Sequence, residues 1–152
     1  RLALPATEFE QVRAAMEQPQ PRVGLGQALR GVASAAIDLS DGLIGDLGHI
    51  LARSGVGALV NLQHLPCSQV LAAQPQALRE ECLLAGGDDY ELLFCAPPDR
   101  HEAVRAAGRT AGVPVSLIGC ITAELGLCVR DGQGHALDLG LQRLQAFDHF
   151  KS

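Results

Sequence analysis

Apolar positions recur near the start of the chain at Phe9, Val12 and Met16, the i, i+3, i+7 spacing of one helical face, which predicts an amphipathic helix over residues 5–17. Pro19 and Pro21 stop it, and residues 22–30 restart as a short helix with Leu25 and Leu29 on one side. The period then changes. Residues 33–39 form a continuous run of small apolar character, as expected of a buried strand. The helical period returns from about Gly42 to Ser54, where Leu43, Ile44, Leu47, Ile50 and Leu51 share a broad face. Gly55 and Gly57 close that helix, and residues 58–62 read as a second strand. Two short helices are expected between Pro66 and Ala85, the second over 76–85 with Leu78, Cys82 and Ala85 inward. Residues 92–96 form the next strand, Pro97-Pro98 opens a helix through Ala111 with Val104 and Ala107 as core positions, and 113–121 is a strand. Residues 126–130 and 135–139 have the pattern of a hairpin around Asp131-Gly132, the dipeptide of a type I′ turn. The pattern predicts an α/β (α+β) fold in one domain, a mixed β-sheet covered by helices.

Composition narrows the class. At 152 residues a single domain can bury a substantial core, and with 3% aromatics and no Trp that core is built from Leu, Val, Ile and Ala. A net charge of -5 without a Lys/Arg cluster argues against nucleic acid as a partner, because a phosphate backbone demands a basic footprint. The five cysteines include no C-x-x-C pair, and four lie in apolar stretches, so they are expected to be small buried hydrophobes in a reducing compartment. No apolar run approaches the ~18 residues of a membrane span, and the cytoplasm is the expected location. The sequence starts at Arg1 and runs at once into helix, which suggests a piece of a longer protein.

Chemistry is concentrated where the first strand hands over to the long helix. Asp38, Ser40 and Asp41 gather there beside Gly42, oxygen donors suited to a hard cation next to helix N–H groups that favour phosphate. Ser and Asp are also ordinary helix N-cap residues, so capping alone is the alternative. The spacing does not match a calcium loop, since the twelfth position counted from Asp38 is His49; Mg²⁺, which keeps its waters and uses one or two carboxylates plus substrate phosphates, suits this sparse set better. Asp46, further into the helix, is expected to be solvated or capping, and His49 structural. Gly42, Gly45 and Gly48 form a line of glycines in a helix, which costs stability and predicts close packing against a neighbouring backbone or ligand. A second acidic turn, Gly86-Gly-Asp-Asp-Tyr-Glu91, leads into a strand; it could grip a cation or polar substrate, or be no more than an exposed turn. There is no G-x-S-x-G elbow, and Gly24 and Gly26 follow no strand, so neither a serine hydrolase nor a dinucleotide fingerprint is supported.

Taken together, Ala36-Ile-Asp-Leu-Ser-Asp-Gly-Leu43 with Asp46-Leu-Gly-His-Ile50, then Gly86-Gly-Asp-Asp-Tyr-Glu-Leu92 and Phe147-Asp-His-Phe150, resemble the thiamine-monophosphate kinase family, of the aminoimidazole ribonucleotide synthetase and selenophosphate synthetase superfamily. The resemblance runs from the Pro21-Arg-Val23 linker to Phe150 and concerns the carboxy-terminal half of such an enzyme. It implies direct transfer of the γ-phosphate of ATP to thiamine monophosphate, giving thiamine diphosphate. Asp38 and Asp41 then correspond to Mg²⁺ ligands and Ser40 to a nucleotide contact. Asp88 stands where the family usually has a substrate-binding Glu, one methylene longer, and Phe147 where an aromatic residue lies against the thiamine. By the same resemblance residues 1–23 are helix and linker from an ATP-binding amino-terminal domain and 24–152 the α/β core. That other half would supply most metal-binding aspartates, the nucleotide pocket and a homodimer interface, so this polypeptide alone is expected not to turn over ATP. Two alternatives remain: another ATP-dependent enzyme of the superfamily, or a non-catalytic metal- or nucleotide-binding module.

Overall fold

The computed structural model describes residues 4–88 and 90–138. Phe147 and the rest of the aromatic tail lie outside them. Helix α1 (Ala6–Glu17) forms where its periodicity predicts, yet none of its residues is buried and Phe9 and Met16 are exposed, so its apolar stripe has no cover among the described residues. Helix α2 (Val23–Ala28) follows the prolines, then strand β1 (Ala35–Asp38) and helix α3 (Leu43–Ser54), which ends on a left-handed Gly55. Strand β2 (Gly57–Asn61), short helix α4 (Gln69–Ala72), helix α5 (Gln76–Ala85), strand β3 (Leu92–Cys95), helix α6 (His101–Ala111) and strands β4 (Gly119–Thr122) and β5 (Gly126–Arg130) complete the order.

The strands separate into two sheets. β1 and β3 pair antiparallel, with Ala35 opposite Cys95 and Asp38 opposite Leu92, while β2 lies between antiparallel β4 and parallel β5 in a mixed three-stranded sheet. Leu43, Leu47 and Leu51 of α3 pack on Ala58 and Val60 of β2, Val129 of β5, Leu84 of α5 and Leu93 of β3. Leu25 of α2 and Leu29 at its C-cap make a second cluster with Ala107 of α6, against which Leu92 and Phe94 of β3 pack. Successive strand residues point to opposite faces, so β3 divides the two clusters and supplies a wall to each.

Several expectations are corrected. The strand foreseen over 113–121 is confined to β4; Pro114 carries no N–H for a ladder, and Val113 and Val115 instead pack against α6 in the second cluster. Asp131-Gly132 is not a type I′ turn, because neither residue has positive φ. The Gly134 N–H donates to the Asp131 carbonyl, Gly134 takes φ 84°, and the Asp131 carboxylate accepts from the Gln133 and His135 amides, the three-residue solution to the same reversal. Only an isolated bridge, Arg130 to Ala136, remains of the second hairpin arm, while β5 takes its ladder from β2. α5 buries Leu84, while Leu78, Cys82 and Ala85, expected to point inward, are half-buried. Nor are the cysteines uniformly interior: Cys67 and Cys120 are exposed and the other three half-buried.

Two tests follow from this packing. Leu47→Ala, emptying a site 4% exposed at the centre of the main cluster, is expected to lower unfolding stability by about 3 kcal/mol, read from denaturant melts. Burial pushes the Cys95 thiol up, so maleimide at neutral pH should modify Cys67 and Cys120 well before Cys95; equal rates in the native chain would contradict the packing of β3.

Candidate functional site

The end of β1 and the loop before β3 form one structure. Leu39 donates its N–H to the Glu91 carbonyl (2.8 Å), Tyr90 returns its N–H to the Leu39 carbonyl (2.9 Å), and Asp88 donates to the Ser40 carbonyl (3.0 Å). The ladder of β1 and β3 therefore continues past the strands into the two acidic turns. Glycines make the approach possible. A Cβ on Gly87 would stand 2.5 Å from the Ser40 carbonyl oxygen, and one on Gly42, where φ is 102°, would stand 2.8 Å from the backbone of Ala85. Within the predicted glycine line Gly42 makes such a contact, whereas nothing lies within 4 Å of the corresponding position at Gly48.

Asp46 organises the first turn. Its carboxylate, on a residue 2% exposed in the first turns of α3, reaches back and accepts from the amides of both Ser40 (3.0 Å) and Asp41 (3.1 Å) through the same oxygen. This overturns the expectation of a solvated side chain; His49, expected to be structural, is the exposed one. It also settles the capping question. The N-cap of α3 is Gly42, which has no side chain to bond with, and neither Ser40 nor Asp41 caps the helix. Among the described residues the carboxylates of Asp38 and Asp41 make no hydrogen bond or ion pair. A buried acid takes the structural duty and leaves the two more accessible ones uncommitted.

The second turn carries backbone strain of its own. Asp88 (φ 65°) and Tyr90 (φ 50°) both adopt the left-handed conformation, which costs a non-glycine residue about 1–2 kcal/mol each. The cross-turn amide bonds hold them there, and the Tyr90 hydroxyl donates to the Asp88 carboxylate at 3.3 Å. An open groove of about 290 Å³ runs beside this turn, lined by Pro19, Pro21, Arg22, Asp38, Tyr90, Glu91 and Leu92. Across one edge the Arg22 guanidinium makes a two-point pair with Glu91, Nε to Oε2 at 2.9 Å and Nη2 to Oε1 at 2.5 Å. The sequence held no signal for this pair, whose members are 69 positions apart.

Of the predicted site residues, Asp38 is exposed at the end of β1, Ser40 and Asp41 are half-buried in the first turn, and Asp88 is exposed across from them, joined to Ser40 through the backbone. Asp38 faces the groove; Asp41 does not line it. No three His, Cys, Asp or Glu side chains converge as a closed metal cage among the described residues. The donor chemistry fits Mg²⁺ all the same: two uncommitted carboxylates are the protein's usual share of a site completed by waters and phosphate oxygens.

A family profile, the AIR synthase related protein C-terminal domain, matches residues 3–131. The chain belongs to this family. Over 138 residues it is 47% identical to a thiamine-monophosphate kinase of Escherichia coli K12, covering 88% of this chain and 40% of that one. Over 139 residues it is 42% identical to a thiamine-monophosphate kinase of Haemophilus influenzae, covering 88% and 41%. The chain thus spans about two fifths of the length of these relatives and is similar to their carboxy-terminal part. Among solved structures it overlays on a thiamine-monophosphate kinase from Stenotrophomonas maltophilia K279a with TM-score 0.78, 40% identity, and coverage of 90% of this chain and 42% of that one. The hydrogenase maturation protein HypE of E. coli shares the fold at 20% identity, TM-score 0.65, with 90% and 46% covered. The expected fold class and the resemblance drawn from the motifs both hold.

Asp46→Ala leaves two turn amides without their acceptor and is expected to cost about 1–3 kcal/mol in a thermal melt. It should also remove amide-exchange protection at Ser40 and Asp41. Asp46→Asn, whose one carbonyl oxygen can accept both bonds, should retain most of that protection.

Proposed function

We propose that this chain is the carboxy-terminal part of an ATP-dependent thiamine-monophosphate kinase, passing the γ-phosphate of ATP to the phosphate of thiamine monophosphate. The observation that carries the proposal is the clasp of the two acidic turns, which leaves the Asp38 and Asp41 carboxylates uncommitted beside the loop bearing Asp88. The thiamine-monophosphate kinases at more than 40% identity favour this substrate over others of the superfamily.

Phosphoryl transfer requires of a protein mainly positioning and charge neutralisation. Asp38 and Asp41 would hold Mg²⁺, which when bound neutralises charge between phosphates. The Ser40 hydroxyl contacts the nucleotide, and the backbone bond from Asp88 to the Ser40 carbonyl ties the nucleotide-facing turn to the acceptor-facing one. Asp88 takes the cationic part of thiamine; its left-handed backbone changes the direction of its shorter side chain relative to an ordinary loop residue. Phe147, outside the described residues, supplies the aromatic contact. In this reading residues 1–23 are helix and linker from an amino-terminal domain that completes the ATP and metal sites and carries a homodimer interface, residues 24–152 are the α/β core, and the enzyme works in the cytoplasm. No helix among the described residues is long and apolar enough to cross a membrane.

The polypeptide assayed alone with ATP, Mg²⁺ and thiamine monophosphate is expected to form no thiamine diphosphate; turnover at the rate of its longer relatives would overturn the need for an amino-terminal part. Supplied with the amino-terminal part its relatives carry, it should become active. In that form Asp38→Asn should lower kcat by roughly a hundredfold or more. An unchanged kcat would make the acidic turn a regulatory site at most.

A further inference from the structure

The Arg22 and Glu91 pair lies outside every role given so far. Arg22 is the residue from which α2 springs, and α2 is anchored through Leu25 and Leu29, each 3% exposed, in the second cluster. Its guanidinium therefore starts from a fixed base. Glu91 closes the acidic loop and is held twice, its carbonyl accepting from Leu39 and its carboxylate taking both prongs of Arg22. Between the pair and the turn lie Tyr90, in its left-handed conformation, and the groove wall that includes Asp38.

We infer that Arg22 is a positioning residue for the acceptor subsite: by fixing Glu91 it sets the pose of Tyr90 and Asp88, and so the affinity for the phosphate acceptor, without touching ATP. A lone surface ion pair contributes little to stability, but a planar two-point pair fixes orientation, and only Arg offers that fork. Lys at this position keeps the charge and loses the geometry. The inference rests on the kinase reading for its kinetic consequence; its structural half is independent of that reading.

The test therefore has two arms. In the chain itself, Arg22→Lys and Glu91→Gln should each lower amide-exchange protection at Tyr90 and Asp88 by about tenfold, with protection in α2 and β3 unchanged, and the reciprocal Arg22→Glu/Glu91→Arg double variant should recover most of it. In the chain supplied with the amino-terminal part, Arg22→Lys should raise KM for thiamine monophosphate about tenfold while kcat and the KM for ATP stay within twofold, and the double variant should again recover. Unchanged protection at Tyr90 and Asp88 overturns the positioning role. So does a parallel loss of protection throughout α2 and β3, which marks a scaffold contact, and so does a KM shift shared equally by ATP. If the unsubstituted assembly forms no thiamine diphosphate, the kinase reading fails, and the exchange arm alone still decides whether Arg22 sets the loop.

Discussion

The site depends on a ladder of three backbone hydrogen bonds that joins the end of one strand to the loop before its partner, from Leu39 to Glu91, Tyr90 to Leu39 and Asp88 to Ser40. At two places the neighbouring backbone occupies the space a Cβ would need, Gly87 against the Ser40 carbonyl and Gly42 against Ala85, so glycine is required there. The bonds are local and extend the pairing of β1 with β3, so the two acidic turns are held by that ladder instead of by contacts between their charges. The carboxylates can then stay available for ligands.

Asp46 illustrates the division of labour. Burying a carboxylate is costly unless donors meet it, and here two amides converge on one of its oxygens. In return the turn acquires a defined shape without using Asp38 or Asp41 to make it. Three aspartates of like chemistry within a few positions thus stand in different surroundings, Asp46 buried on two backbone amides and Asp38 and Asp41 more accessible with their carboxylates uncommitted.

Much of this architecture was legible in the sequence, since the helices of strong 3.6-residue period, α1, α3, α5 and α6, appear where their apolar positions place them. The limits of reading are equally physical. Periodicity reports which face of an element is apolar and says nothing of what covers it, hence the exposed stripe of α1. Extended, β-branched segments read as strands whether or not a partner edge exists, hence the absence of a strand at 113–118. The acidic turns announced themselves by composition, but the distinction between an acid left without a protein partner and one that bonds the backbone lies in the direction of a side chain. The sequence therefore leaves Asp46 between solvent and a cap, and the Arg22 and Glu91 pair, assembled across the fold, leaves no local trace at all.

The alternation along β1 and β3 has a consequence for how such a chain can vary. Ile37 packs against the main cluster while its neighbour Asp38 faces the groove, and Leu93 and Leu92 divide in the same way opposite them. The two faces differ by parity only. Losing or gaining one residue in β1 would send a carboxylate into the hydrocarbon interior and an isoleucine into the groove, whereas a change of two would restore the alternation. Length variation in these strands is thus quantised in pairs, and the loops beyond the ladder are where single insertions can be absorbed.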